Sequence, residues 1–109
     1  MPLDTSSFGR AIASARKDLE LSQKDLANKI RKEDGETITP QYLNDIEHDR
    51  RSPSSDHMVK QFANVLKVSA DVLYWLAGRV PGDVSVAKRN AAPEQIEKAF
   101  AAFRRTLKE

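Results

Sequence analysis

Apolar residues along the 109-residue chain recur mostly at intervals of three and four, the spacing that gathers side chains on one face of an α-helix. Phe8, Ile12, Ala15 and Leu19 predict a first helix over about residues 6–19, with Asp4, Thr5 or Ser6 near its cap. Leu26, Ala27 and Ile30 predict a second, opened by Ser22 and, three residues on, Asp25, an arrangement resembling a capping box. The third, over about 39–48, starts at Thr39, whose hydroxyl can accept from free N–H groups of the first turn. Pro40 suits the first helical position, where its missing N–H would have had no partner. Met58, Val59, Phe62, Val65 and Leu66 mark a fourth helix. Ser69 caps a fifth, in which Val72, Leu73 and Leu76 face inward until Gly78 stops it.

The remaining segments read as connections and one appendage. KEDGET, residues 32–37, has Gly35, four charges and no apolar residue, and is a loop. Ser52, Pro53, Ser54 and Ser55 break the chain before the fourth helix. Residues 80–92 contain Pro81 and Gly82, sustain no helical period, and read as a linker. Beyond it, 93–109 predicts a helix with Pro93, Glu94 and Glu97 early and Arg104, Arg105 and Lys108 late, an order that suits the helix dipole. Ile96, Phe100, Phe103 and Leu107 form one apolar stripe along it, which needs a surface to cover. The chain therefore divides into a domain over 1–79, a linker over 80–92 and a terminal helix over 93–109.

The third helix has two contrasting sides. At about 100° per residue, Leu43, Ile46 and Glu47 fall together, while Gln41, Asn44, Asp45 and His48 fall opposite. Asn and Gln are modest helix formers, so amides crowded on two turns are not explained by propensity; they are groups that can read base edges. Net charge adds little, because residues 1–79 hold 12 Lys/Arg against 12 Asp/Glu and 80–109 hold 6 against 4, which together give +2. Any nucleic-acid surface must come from where the charges sit.

Composition removes other classes. With no cysteine, disulfide frameworks and thiolate metal sites are excluded, and a reducing cytoplasm is the expected location. His48 and His57, nine residues apart and without a HExxH pattern, read as surface residues, so no metal and no cofactor is expected. No apolar run approaches the ~18 residues of a membrane span, and the first ten residues lack the pattern of an export signal. A Gly-rich phosphate loop, a GxSxG motif and paired carboxylates in an apolar setting are all missing, so no enzyme is expected.

Five short helices, the second and third capped and in series, resemble the lambda-repressor-like helix-turn-helix family, the xenobiotic-response-element (XRE) type, over about residues 8–78. The resemblance is carried by LSQKDLA at the second helix, ITPQYLNDIE at the third, the Arg-Arg-Ser-Pro that follows, and FANVLKVSADVLYWLAG across the fourth and fifth. It implies an all-α fold: a five-helix domain with an additional C-terminal amphipathic helix. Family members commonly pair an arginine late in the first helix with a glutamate ending the recognition helix. Arg16 and Glu47 stand at the matching places, which implies a partly buried ion pair; taken without the resemblance they read as two independent surface charges. Three features depart from the family pattern. Arg31 to Thr37 lengthen a turn that is usually tight, Pro40 replaces a base-reading glutamine, and Asp49 stands where a helix-ending glycine is common.

What the resemblance implies for function is specific. With the third helix in the major groove, Gln41 and Asn44 become base readers. Asp45 either accepts from a cytosine amino group or is a solvated acid that deters wrong sequences, and Tyr42 either packs on sugar or a thymine methyl or remains a packing residue. Phosphate contacts fall to Gln23 and Lys24 at the start of the second helix, to Thr39, and to Arg50 and Arg51; Lys24 and the arginines also read as ordinary solvated charges. One copy reads few base pairs, so a homodimer is expected, through Tyr74 and Trp75 exposed on the fifth helix or through Ile96, Phe100, Phe103 and Leu107 on the tail, unless the tail folds back on its own domain. The leading reading is a cytoplasmic, sequence-specific, dimeric repressor of transcription that binds double-stranded DNA. The competing one is an antitoxin-type or other protein-interaction module, with a protein partner held by the C-terminal helix.

Overall fold

The computed structural model describes residues 2–84 and 90–108. Among them run α1 (Phe8–Asp18), α2 (Gln23–Ala27), α3 (Pro40–Glu47), α4 (Asp56–Leu66), α5 (Ala70–Ala77) and α6 (Pro93–Lys108). The fold is all-α, with the terminal helix in addition to the five-helix unit.

Each of the first five helices starts where a hydroxyl can satisfy the backbone donors left free by the first turn. Ser7, Ser22, Thr39, Ser55 and Ser69 accept from the amides of Arg10, Asp25, Tyr42, Met58 and Val72. At α2 the box is complete, since the Asp25 carboxylate accepts in return from the Ser22 amide at 3.1 Å. That backbone bond, helped by the Ser22 hydroxyl, holds the Asp25 carboxyl below the usual carboxylate range. Left-handed residues end several helices: Glu20, Asp49, Lys67 and Gly78 all have φ between 58° and 69°.

The apolar faces so presented meet in one core. Ile12, Leu26, Ile30, Leu43, Ile46, Met58, Val59, Phe62 and Leu73 are its largest fully buried side chains, with Phe8 edge-on to Phe62 at 6.1 Å. α1 packs against α3, α4 and α5, α2 against α3, and α4 against α5. Leu19, placed on the stripe of the first helix by its spacing, lies beyond the end of α1 and is exposed.

The long connection between α2 and α3 is an ordered turn. Arg31 and Thr37 form an isolated antiparallel bridge, Lys32 donates to the Glu36 carbonyl, and Gly35 takes φ 89° at the tip. It is pinned to α4, where the Gln61 side chain accepts from the Arg31 amide and His57 Nε2 donates to the Arg31 carbonyl. The Ile38 amide donates to the Ile30 carbonyl at 3.1 Å, so the chain leaves and rejoins the core at adjacent points.

In the linker expected over 80–92, residues 82–84 are helical, just after Pro81, and 85–89 lie outside the described residues. α6 has no buried residue.

α1 and α3 cross at Gly9. A Cβ there would press on the Ile46 carbonyl oxygen and stand 2.6 Å from Asp49 Oδ1 and 2.7 Å from the Glu47 carbonyl oxygen. Gly9→Ala is therefore expected to destabilise the fold by about 2–3 kcal/mol; a midpoint of denaturant unfolding equal to that of the unaltered chain would refute this close approach.

Candidate nucleic-acid interface

α3 is fixed at its inner side by charge as well as by Leu43 and Ile46. The Arg16 guanidinium, from the last turn of α1, donates through Nε to Glu47 Oε2 at 2.7 Å and through a second nitrogen to Oε1 at 2.9 Å. Its remaining terminal nitrogen donates to the Leu21 carbonyl at 2.9 Å. The two side chains are only 12% and 4% exposed, so the forked geometry operates in a largely dry setting. Gln23, at the first position of α2, donates from Nε2 to Glu47 Oε1 at 3.0 Å and to Asn44 Oδ1 at 3.1 Å. One cluster thus ties α1, α2 and α3 together.

A second tie holds the end of α3. Asp49, at φ 59°, turns its carboxylate onto the start of α1, accepting from the Ser7 hydroxyl at 2.6 Å and the Gly9 amide at 2.9 Å. The position favours an anion, because free N–H groups and the helix dipole converge there. Nothing at a spacing of 40 residues announces this contact in the sequence.

The outer side of α3 carries the polar groups. Gln41 is exposed and donates from Nε2 to Asp45 Oδ1 at 3.2 Å, while Asn44 is half-buried. With its carbonyl oxygen held by Gln23, Asn44 keeps an amide nitrogen that has no partner among the described residues. His48 donates from Nδ1 to the Asn44 carbonyl. Asp45 also accepts from Arg50 at 3.1 Å and has Arg51 at 4.0 Å, both arginines being more than half exposed. The Arg51 guanidinium lies 5.2 Å from the centre of the half-buried Tyr42 ring.

The residues expected to meet phosphate are distributed around this face. Thr39 uses its oxygen to accept from Tyr42, leaving the hydroxyl hydrogen to donate elsewhere. Lys24 is exposed and makes no salt bridge among the described residues. Gln23 differs from its expected outward role: both hydrogens of its amide nitrogen are committed inward, to Asn44 and Glu47.

Of the residues expected at a dimer surface, Tyr74 is 2% exposed and belongs to the core. Burial pushes its hydroxyl pKa upward. Trp75, next along the helix and about 100° round it, is exposed, as are Ile96, Phe100, Phe103 and Leu107. Among the described residues no cluster of His, Asp and Glu could hold a metal ion, and no helix is long and apolar enough to cross a membrane.

A family model described as helix-turn-helix matches residues 12–73, from α1 into α5, more than half of the chain. No curated protein and no solved structure matches it.

The buried pair makes a testable asymmetry. Glu47→Ala leaves the Arg16 charge in a dry site and is expected to cost about 3 kcal/mol, whereas replacing both residues by methionine or leucine should cost much less. Chemical denaturation of the single and double variants measures the difference; equal losses from single and double changes would show that the pair is not coupled.

Proposed function

The chain belongs to the lambda-repressor-like, XRE-type helix-turn-helix family of DNA-binding transcription regulators, and we propose that it acts as a dimeric, sequence-specific repressor that inserts α3 into the major groove. The observation that carries this reading is a helix held rigidly from behind by Arg16, Glu47 and Gln23 with its amides turned outward. Rigidity matters because a misplaced amide loses its hydrogen bond to a base edge and, with it, the discrimination.

The two amides have different offers. Asn44, its oxygen engaged by Gln23, presents its NH2 and suits acceptors such as guanine O6 and N7 or thymine O4. Gln41 keeps its carbonyl oxygen and one amide hydrogen, the pair needed for a two-point contact with adenine. Asp45 steers Gln41 and holds the arginines in the unbound protein, and it can itself accept from a cytosine amino group. Tyr42, under Arg51, presents its ring to sugar or a thymine methyl.

Lys24, Thr39, Arg50 and Arg51 supply the phosphate contacts that set register without reading sequence. An exposed Arg–Asp pair is worth little, so Arg50 and Arg51 can exchange the Asp45 carboxylate for phosphates at small cost. Gln23 serves by positioning Asn44. Two copies would read half-sites about one helical turn, roughly 34 Å, apart, and by occupying that groove would exclude other proteins from the promoter. The unit over residues 1–79 carries the reading surface, and the tail over 93–109 is free for assembly.

Two measurements test the assignment. Asn44→Ala, with the fold intact, is expected to relax preference at one or two operator positions by about 1–3 kcal/mol in selection from random DNA. Unchanged preference at every position would remove Asn44 from the base-reading set. Replacing Arg50 and Arg51 together by alanine should weaken binding to all sequences alike and reduce the slope of log affinity against log salt by about 2. A slope identical to that of the unaltered protein would take both arginines off the phosphate contacts.

A further inference from the structure

α6 leaves an apolar seam uncovered by its own domain. Trp75 of α5 meets Phe103 at 5.2 Å between ring centres, yet no residue of α6 is buried. Phe100 and Leu107 remain 55% and 61% exposed, and Trp75 itself 59%. An exposed patch of this kind, continuous from Trp75 along the helix, marks a surface built to be covered.

The charges beside the seam say what covers it. Ile96, Phe100, Phe103 and Leu107 are spaced by four, three and four, the alternation of a two-helix coiled-coil seam. Glu97 and Arg104 occupy equivalent flanking positions seven residues apart, each directly after a seam residue. Neither has an opposite charge three or four residues away on its own helix. Glu97 has Glu94, Pro93, Phe100 and Ala101 at those distances, and Arg104 has Phe100, Ala101, Leu107 and Lys108. Neither makes a salt bridge among the described residues. Glu94, away from the seam, does have Lys98 four residues on, and the Arg104 guanidinium lies 5.9 Å from the centre of the Phe100 ring of its own helix.

We propose that α6 pairs with α6 of a second copy of this chain in antiparallel orientation. In that arrangement Ile96 packs against Leu107 of the second copy and Phe100 against its Phe103, and Glu97 faces Arg104 of the second copy, twice by symmetry. The acidic first turn then lies over the basic last turn. A parallel pair would instead set Glu97 and Arg104 across from Ala92 and Ala99, with no opposite charge to meet. Trp75, against Phe103, widens the covered area on each side. The proposal rests on the dimeric reading given above and names the surface and orientation by which the dimer forms.

Sedimentation equilibrium of the full chain tests it. The unaltered protein is expected to show a monomer–dimer equilibrium. Glu97→Arg and Arg104→Glu should each raise the dimer dissociation constant by about tenfold, since each change sets like charges together at two places. The double exchange, Glu97→Arg with Arg104→Glu, should restore dimerisation. A chain that stays monomeric at every concentration, or a dimer indifferent to both single changes, overturns the proposal. The chain lacks cysteine, so orientation is read independently by disulfide formation. Copies carrying Ile96→Cys mixed with copies carrying Leu107→Cys should cross-link, and Ile96→Cys copies alone should not; cross-linking of Ile96→Cys with itself overturns the antiparallel arrangement. DNA binding by the same proteins separates the two ideas. A charge-dependent dimer that binds no DNA sinks the proposed function and leaves the pairing standing; a monomer that binds sites through α3 sinks the pairing alone.

Discussion

A charged pair in a dry environment fixes the angle of the helix that carries the polar surface. Hydrophobic packing by Leu43 and Ile46 is strong but non-directional, and it would tolerate α3 rotating or sliding by a fraction of a turn. The forked contact between Arg16 and Glu47 does not, because two parallel hydrogen bonds are met at one orientation only. Its net contribution to stability is small, since desolvation offsets most of the attraction. What it supplies is direction, passed through Gln23 to the amide of Asn44.

A second device, two residues on, serves the same purpose at the same C-terminal end of α3. Asp49 bends the chain through a left-handed conformation and, in the same residue, caps α1 by accepting from Ser7 and Gly9. Gly9 is required because the carbonyl oxygens of Ile46 and Glu47 come to rest where a side chain would otherwise start. The C-terminal end of the helix is thereby held twice against α1, and its outward residues inherit that rigidity.

Much of the fold was legible because it is written in local spacing. The helices, the caps at Ser22, Thr39 and Ser69, the Ser22–Asp25 box and the stop at Gly78 all follow from residues within four positions of one another, whereas the cap of α1 is Ser7 and not the expected Asp4, Thr5 or Ser6. What escaped the sequence lies at long range or at element ends. Leu19 kept the spacing of α1 but not its backbone, which turns left-handed at Glu20. Tyr74 and Trp75 are adjacent and aromatic, and only the packing of α5 decides that the first is core and the second is surface. At the candidate site, Gln41 and Asn44 could be chosen by facing, and Arg16 with Glu47 through the family resemblance. The inward turn of Gln23 and the reach of Asp49 to α1 depend on contacts between distant segments that no periodicity encodes.

The hairpin turn between α2 and α3 separates loop length from helix geometry. Ile30 and Ile38 are both buried and joined by a backbone hydrogen bond, so whatever lies between them begins and ends at one place on the core. Loop closure entropy grows only slowly with added residues. The tip around Asp34 and Gly35 is accordingly a site at which related sequences can lengthen, shorten or diverge, and at which a foreign peptide can be grafted, without altering how α3 is presented.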